Sequence, residues 1–436
     1  MVRRRDRVAS AIILTLSQRS TLSIPTTARP PLAVASIIVS MAFMAASNGM
    51  FMAFIPLKLS ETGAEPWVAG AVLSSMSVGG FIACFVMMRI IQRVGHARTF
   101  LAFAALNILH AETIALFDDP LVWCIARAVY GFVAVGFFVV VQSWLNDTCT
   151  NEWRGRVTSI FYMSYVISLG AGSYVVTLFP LEPQSIALLV IASIATAMIP
   201  IGMTRLPPPS PPEGGAINLR LVWRISPVGF MGMFAVGGLT MLVQGFAPIY
   251  ATEQGFGKTD VGLLLFLMQL GLIGVQLPMG IISDRIDRRW VLVATCLMGI
   301  ICAFLGWNLP SDDLLMTILV FAIWVGATET IYAVSGAHAN DRADPDDYVT
   351  VATTLMFIWS ISALIIPLVA TALTGLLGVT AFMGLAGFIA ALYGIFVALR
   401  ITRREATPDD AQEPYRASGA QVPLTADLAP VSEDPQ

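Results

Sequence analysis

The amino-acid sequence predicts an all-α membrane protein of twelve spanning helices, arranged as two pseudo-symmetric six-helix bundles. Three observations carry this. Hydrophobic residues make up 56% of the 436 positions and charged residues only 12%, about half the charged share of a soluble chain. A series of about twelve apolar segments follows, each long enough to cross a bilayer. Two short polar motifs also recur at nearly the same spacing. Gln92-Arg93 and Asp284-Arg285 lie 192 residues apart, and Asn146-Asp147 and Asn340-Asp341 lie 194 apart, each Asn-Asp closing the fourth helix of its half. Duplication of a half-protein leaves such an offset.

Residues 1–31 carry Arg3, Arg4, Arg5, Arg7, Arg19 and Arg29 against a single acid, Asp6. The apolar stretch at 9–16 is too short to span, so a basic cytoplasmic tail is expected rather than a signal peptide. The first bundle, residues 32–203, holds spans near 32–58, 66–91, 97–117, 120–146, 156–180 and 184–203. Residues 204–225 form a proline-rich cytoplasmic linker, whose stretch 204–215 should be extended. The second bundle, residues 226–400, holds spans near 226–252, 260–283, 290–309, 313–338, 348–374 and 377–400. Residues 401–436 are acidic and too poor in apolar side chains to pack, so a disordered tail is expected.

Orientation follows from the arginines. With both termini inside, those of every even-numbered helix junction, such as Arg93, Arg98, Arg154, Arg156, Arg285 and Arg342, fall on the cytoplasmic face. Only Lys58 and Lys258 fall outside, and Arg127 lies within the membrane. This is the segregation of a multi-pass membrane protein. A net charge of -3 gives no ground for a nucleic-acid partner. The five cysteines show no metal-ligand spacing, and twenty methionines without a His-Met or Cys-Met cluster read as flexible apolar packing. Gly79-Gly80, Gly170-Ala171-Gly172 and Gly237-Gly238 read as close helix approaches. None precedes a Lys-Ser/Thr pair, so they are not phosphate loops, ATP drive is not expected, and no cofactor is implied.

Several of these residues carry a family resemblance. Arg93-Val94-Gly95-His96-Ala97-Arg98 and Gly280…Asp284-Arg285 resemble the signature loop of major facilitator superfamily (MFS) transporters. Arg127-Ala-Val-Tyr-Gly131 resembles the Arg-x-x-x-Gly motif of the same superfamily. Ser143-Trp-Leu-Asn146-Asp147…Arg154-Gly-Arg156 and Ala337-His338-Ala-Asn340-Asp341 are similar to the YcaD-like branch of bacterial inner-membrane permeases. The likeness spans roughly residues 32–400 and implies the MFS fold, two six-helix bundles around a central cavity working by alternating access. The chain departs from the pattern at Gln92, where the signature loop usually has an acid, at Gln142, where that branch commonly has Glu, and at Glu329, where it has an apolar or small residue.

The resemblance also implies that each signature loop touches the opposite half beside a helix N-terminus. Asp284, with Arg285, would then meet Arg154 or Arg156, and Arg93 and Arg98 would meet Asp344, Asp346 and Asp347. These are two ionic latches of opposite polarity that close the cytoplasmic side. Within the membrane, a charged side chain defaults to a functional role. Arg127 and Glu112 lie at similar depth on adjacent helices and are expected to interact, with Glu112, His110 or Glu329 as proton-coupling groups. Gln269 and Gln276 share a helix face and, with Gln244, Trp324 and Trp359, are candidates to line a polar-aromatic substrate cavity. The expected function is proton-coupled transport of a small organic solute or amphiphile by a monomer, export favoured over uptake. A transporter-like sensor or assembly factor is the rival class. A membrane acyltransferase ranks last, because its only candidate pair, His338 with Asp341, belongs to the repeat.

Overall fold

The structure is a computed structural model that describes residues 30–148, 151–204, 216–310, 312–403 and 419. The basic N-terminal tail, the proline-rich part of the linker and nearly all of the acidic C-terminal tail lie outside the described residues. So do the side chains of Asn146, Asp147 and Arg154.

Among the described residues, twelve helices are long and apolar enough to cross a membrane. In chain order they are α1 (Pro30–Glu61), α2 (Pro66–Val94), α3 (His96–Leu116), α4 (Pro120–Thr148), α5 (Asn151–Val175) and α6 (Pro183–Met203), then α7 (Pro227–Glu253), α8 (Lys258–Ser283), α9 (Arg288–Trp307), α10 (Leu314–Asn340), α11 (Tyr348–Leu377) and α12 (Ala381–Ile401). The helices run past the apolar segments, as α5 does by starting at Asn151 rather than near 156. Polar side chains end the membrane span without ending the helix, because an interfacial residue can hydrate its side chain while its backbone stays hydrogen-bonded.

Local chemistry sets the ends. Proline occupies the first position of α2, α6 and α7, where no N–H is needed. Ser226, Asp287 and Asp313 accept hydrogen bonds from backbone N–H groups that open α7, α9 and α10. The linker ends in a turn of helix. Asn218 caps a short helix, Leu219–Ile225, whose Trp223 packs on Phe230 and Phe396. An aromatic side chain with a partner surface holds a turn that the prolines upstream could not form.

The duplication shows in the packing. Gly79 of α2 lies against the Ala128 carbonyl of α4, and Gly131 of α4 lies against the Met76 carbonyl of α2. In the second half Gly271 of α8 abuts Ala322, and Gly326 of α10 abuts Val275. These pairs are equivalent, at offsets of 192 and 195. Without a hydrophobic force between helices in lipid, close backbone approach at small residues supplies the dispersion contacts that hold them.

Across the interface α2 packs on α11 and α5 on α8. One face of the molecule carries the α2–α3, α8–α9 and α10–α11 connections and most of the arginines; it is termed the basic face. The two halves meet at the opposite face. There Gly70 approaches Thr371 and Phe246, Gly375 approaches Trp67, Gly262 approaches Ser173 and Tyr174, and Lys258 donates to the Phe179 carbonyl at 3.1 Å. The opposite face is therefore closed.

Candidate functional site

Between the halves lies a cavity of about 150 Å³. Its walls come from α1, α2, α4 and α5 on one side and from α7 and α11 on the other. Most of the lining is apolar, including Met52, Phe81, Phe138, Met241 and Phe246. The polar exceptions define the site.

Arg127 is one of them. It lines the cavity and is only 1% exposed. Its Nη1 and Nη2 donate to Asn48 Oδ1 of α1 at 3.4 and 3.5 Å, and Nη2 reaches Met76 Sδ at 3.4 Å. Its guanidinium carbon lies 4.7 Å from the centre of the Tyr130 ring, one turn along α4. Tyr130 was not foreseen as a site residue, although its i,i+3 spacing from a membrane arginine was the available signal. His110 stands behind it, with Nδ1 3.2 Å from Asn107 Oδ1 and its ring packed on Tyr130 and Phe51. The expected Arg127–Glu112 pair is not made. Glu112 is exposed, because two residues beyond buried His110 turns the side chain about 200° around α3.

The second polar wall centres on Glu329 of α10, which is fully buried. Its Oε1 accepts from Thr240 Oγ1 at 2.9 Å and from Gln244 Nε2 at 3.4 Å, both on α7. Gln269 Nε2 donates to Gln244 Oε1 at 3.2 Å, and Gln276 Nε2 donates to the Glu329 backbone carbonyl at 3.3 Å. Thr240 and Gln244 line the cavity, so they connect Glu329 to it. Gln269 and Gln276 support this network from α8 rather than lining the cavity. Trp359 lies in the wall. Trp324 does not: it stacks on Phe382 and packs at a tilt on Phe321, within the second half. Five residues on a helix amount to a turn of about 140°, so Trp324 and Glu329 face different neighbours. Gly419, the one described residue of positions 404–436, is buried against Tyr162 Oη and Glu329 Oε2.

At the basic face, Arg288 of α9 is a buried cation. It is 2% exposed and grips Asp341 at the end of α10, whose side chain is 1% exposed, with Nε–Oδ2 at 2.7 Å and Nη2–Oδ1 at 3.4 Å. Its Nη1 lies 3.6 Å from Asp284. Arg289 pairs with Asp287, which also accepts from the Arg289 backbone N–H, and donates to the Arg400 carbonyl. Burial pushes the Asp287 carboxyl up, but the Arg289 hydrogen bonds and charge outweigh it and hold it below the usual carboxylate range. Arg93, Arg98, Asp346, Arg156 and Arg285 are exposed and Asp347 is half-buried. Among the described residues Arg93 and Arg98 make no ion pair with Asp344, Asp346 or Asp347, so that latch is not engaged in this closed-opposite-face arrangement. Asn340 is buried beside the Arg288–Asp341 pair.

A model of the Major Facilitator Superfamily matches residues 37–257 and 228–432. The chain belongs to the major facilitator superfamily. It is thus a multi-pass membrane transporter rather than an enzyme. An uncharacterized MFS-type transporter of Yersinia pestis (strain Pestoides F) is 27% identical over 366 residues, 83% of this chain and 92% of that protein. Among solved structures, a bacterial homolog to the human lysosomal transporter Spinster, in an inward-facing and unoccupied conformation, matches with a TM-score of 0.71 at 10% identity, covering 88% of this chain and all of that one. The nucleoside transporter NupG matches with a TM-score of 0.65 at 11% identity, covering 86% and 99%. At these identities the likeness concerns the MFS fold alone.

Proposed function

We propose that this chain is a proton-coupled secondary transporter that moves a small organic solute or amphiphile across a bacterial cytoplasmic membrane by alternating access, in the direction of export. The observation that carries the reading is the placement of buried polar groups. Arg127 of the first half and the Glu329–Thr240–Gln244 network of the second flank one largely apolar cavity at the seam where the halves rock. The basic face is assigned to the cytoplasm by the positive-inside rule, which makes the arrangement with a closed opposite face inward-facing. One chain contains the whole route, so a monomer suffices.

Glu329 is the group assigned to the proton. A carboxylate at this depth is stabilised by the Thr240 and Gln244 donors, and protonation removes the charge that most opposes exposure to a changing, drier environment. Rocking of the halves changes the access of water to the Thr240–Gln244 wall and so to Glu329 behind it, which couples proton binding to rocking. The asymmetric signature loops fit a gate at the basic face, with Asp284 able to exchange Arg288 for the Arg154–Arg156 segment of α5 when that face closes.

The test is flux in proteoliposomes under an imposed pH gradient. Wild-type accumulation should follow the gradient, and Glu329→Gln should retain solute exchange but lose gradient-driven accumulation. Wild-type flux indifferent to the gradient would refute coupling.

A further inference from the structure

Two buried N–H donors of the central cavity lack acceptors. Arg127 is enclosed, yet its partners are all neutral: a long contact to the Asn48 amide oxygen, a thioether and an aromatic face. Its Nε is buried and has no acceptor. Among the described residues no carboxylate pairs with it, since Glu112 is exposed and Glu329 is bound on the other half. In the opposite wall, the indole Nε1 of Trp359 is likewise buried without an acceptor. A guanidinium in a membrane interior needs a counter-charge, and a buried N–H left unmade carries its full desolvation cost. The rest of the lining is mostly apolar, with neutral hydroxyls and amides such as Ser77, Tyr165, Thr240 and Gln244 and no second charged side chain. A cationic solute would add a second positive charge beside Arg127. A neutral apolar solute would leave both donors unmet.

We infer that the cavity binds an organic carboxylate on an apolar body, its anion taken by Arg127 and its second acceptor position by the Trp359 indole N–H. This names the substrate class for the transport reading above and rests on it. The arrangement neutralises Arg127 only when the carrier is loaded. The empty carrier keeps a buried, underpaired cation, whereas the loaded one presents a neutral, desolvated pair to the moving interface. Substrate charge thereby favours passage of the loaded form through the occluded state.

The experiment is calorimetric titration of the full chain in nanodiscs with three isosteric probes, naphthoate, naphthamide and naphthylmethylammonium, and with chloride. A charge-assisted pair predicts that naphthoate binds at least about tenfold tighter than naphthamide and that the ammonium probe does not bind. Arg127→Gln should abolish the preference for the acid over the amide, while Arg127→Lys should keep it at reduced affinity because the fork is lost. Trp359→Phe keeps the aromatic wall and should weaken naphthoate alone, by a few-fold, which guards against a misfolded arginine variant. Equal binding of acid and amide, or an acid preference that survives Arg127→Gln, overturns the inference. So does chloride competing as well as naphthoate, because the site would then be one for inorganic anions. Naphthoate binding without flux in proteoliposomes would refute transport and leave the anion site standing. Flux without an acid preference would do the reverse.

Discussion

Arg127 shows how much a single residue can reveal and where it stops. A charge in an apolar run of α4 stands out without any structure, because the membrane penalises it. Its contact with Asn48, 79 positions away, is made by the packing of α1 against α4. Glycine at 131 is the other residue on which this helix depends. A Cβ there would overlap the Met76 carbonyl, which belongs to backbone and cannot step aside. Gly131→Leu should therefore separate α2 from α4, at a cost of about 1–3 kcal/mol or more from overpacking. The measurement is the melting temperature of the purified protein, and an unchanged value would remove the close approach as a stabilising contact.

Among elements, the junction of α8, α9 and α10 is tied by charge. Removing one member of the enclosed Arg288–Asp341 pair leaves the other uncompensated, so Asp341→Asn should cost about 3–5 kcal/mol. Replacing both partners by Met and Leu should recover much of that loss, which thermal unfolding of the single and double variants would reveal. Asp287 adds a pH dependence. Its folded pKa lies below the unfolded value of about 3.9. The cap's contribution is thus complete above that pH and is lost as pH falls through the folded value. Asp287→Asn should melt at a lower temperature than wild type near neutrality, and the difference should narrow on acidification. A gap that widened in acid would contradict the sign.

At the scale of the whole molecule, alternating access requires the closed opposite face to open. A Cβ at Gly375 would lie 3.6 Å from Trp67 Cβ, within the range of disulfide-bonded pairs. In a background free of native cysteines, Trp67→Cys with Gly375→Cys should cross-link under oxidation, stop flux, and recover on reduction. Continued flux through the cross-linked protein would exclude rocking about this seam. The duplicated loops predict a second asymmetry. Asp284→Asn should increase labelling of cysteines placed in the cavity from the basic face more than Gln92→Ala does, and equal effects would count against a gate formed by Asp284.

Hydropathy was sufficient for twelve spans, and the motifs that resemble the MFS signature loop and its Arg-x-x-x-Gly run were sufficient for the superfamily. These features are local or periodic, and a bilayer tolerates few alternatives. The charged and amide residues of the site were also legible, since Arg127, Glu329, Gln244 and Gln269 are costly in lipid wherever they point. Their facing was not. Trp324 and Glu112 fell on the wrong sides of their helices, because in spans apolar on every face hydropathy carries little information about rotation. Asn48, Asp341 and Thr240, which bind Arg127, Arg288 and Glu329, lie 79, 53 and 89 residues away in the chain. Only the packing of helices against one another brings such groups within hydrogen-bonding distance, and that packing leaves Arg127 buried with neutral partners.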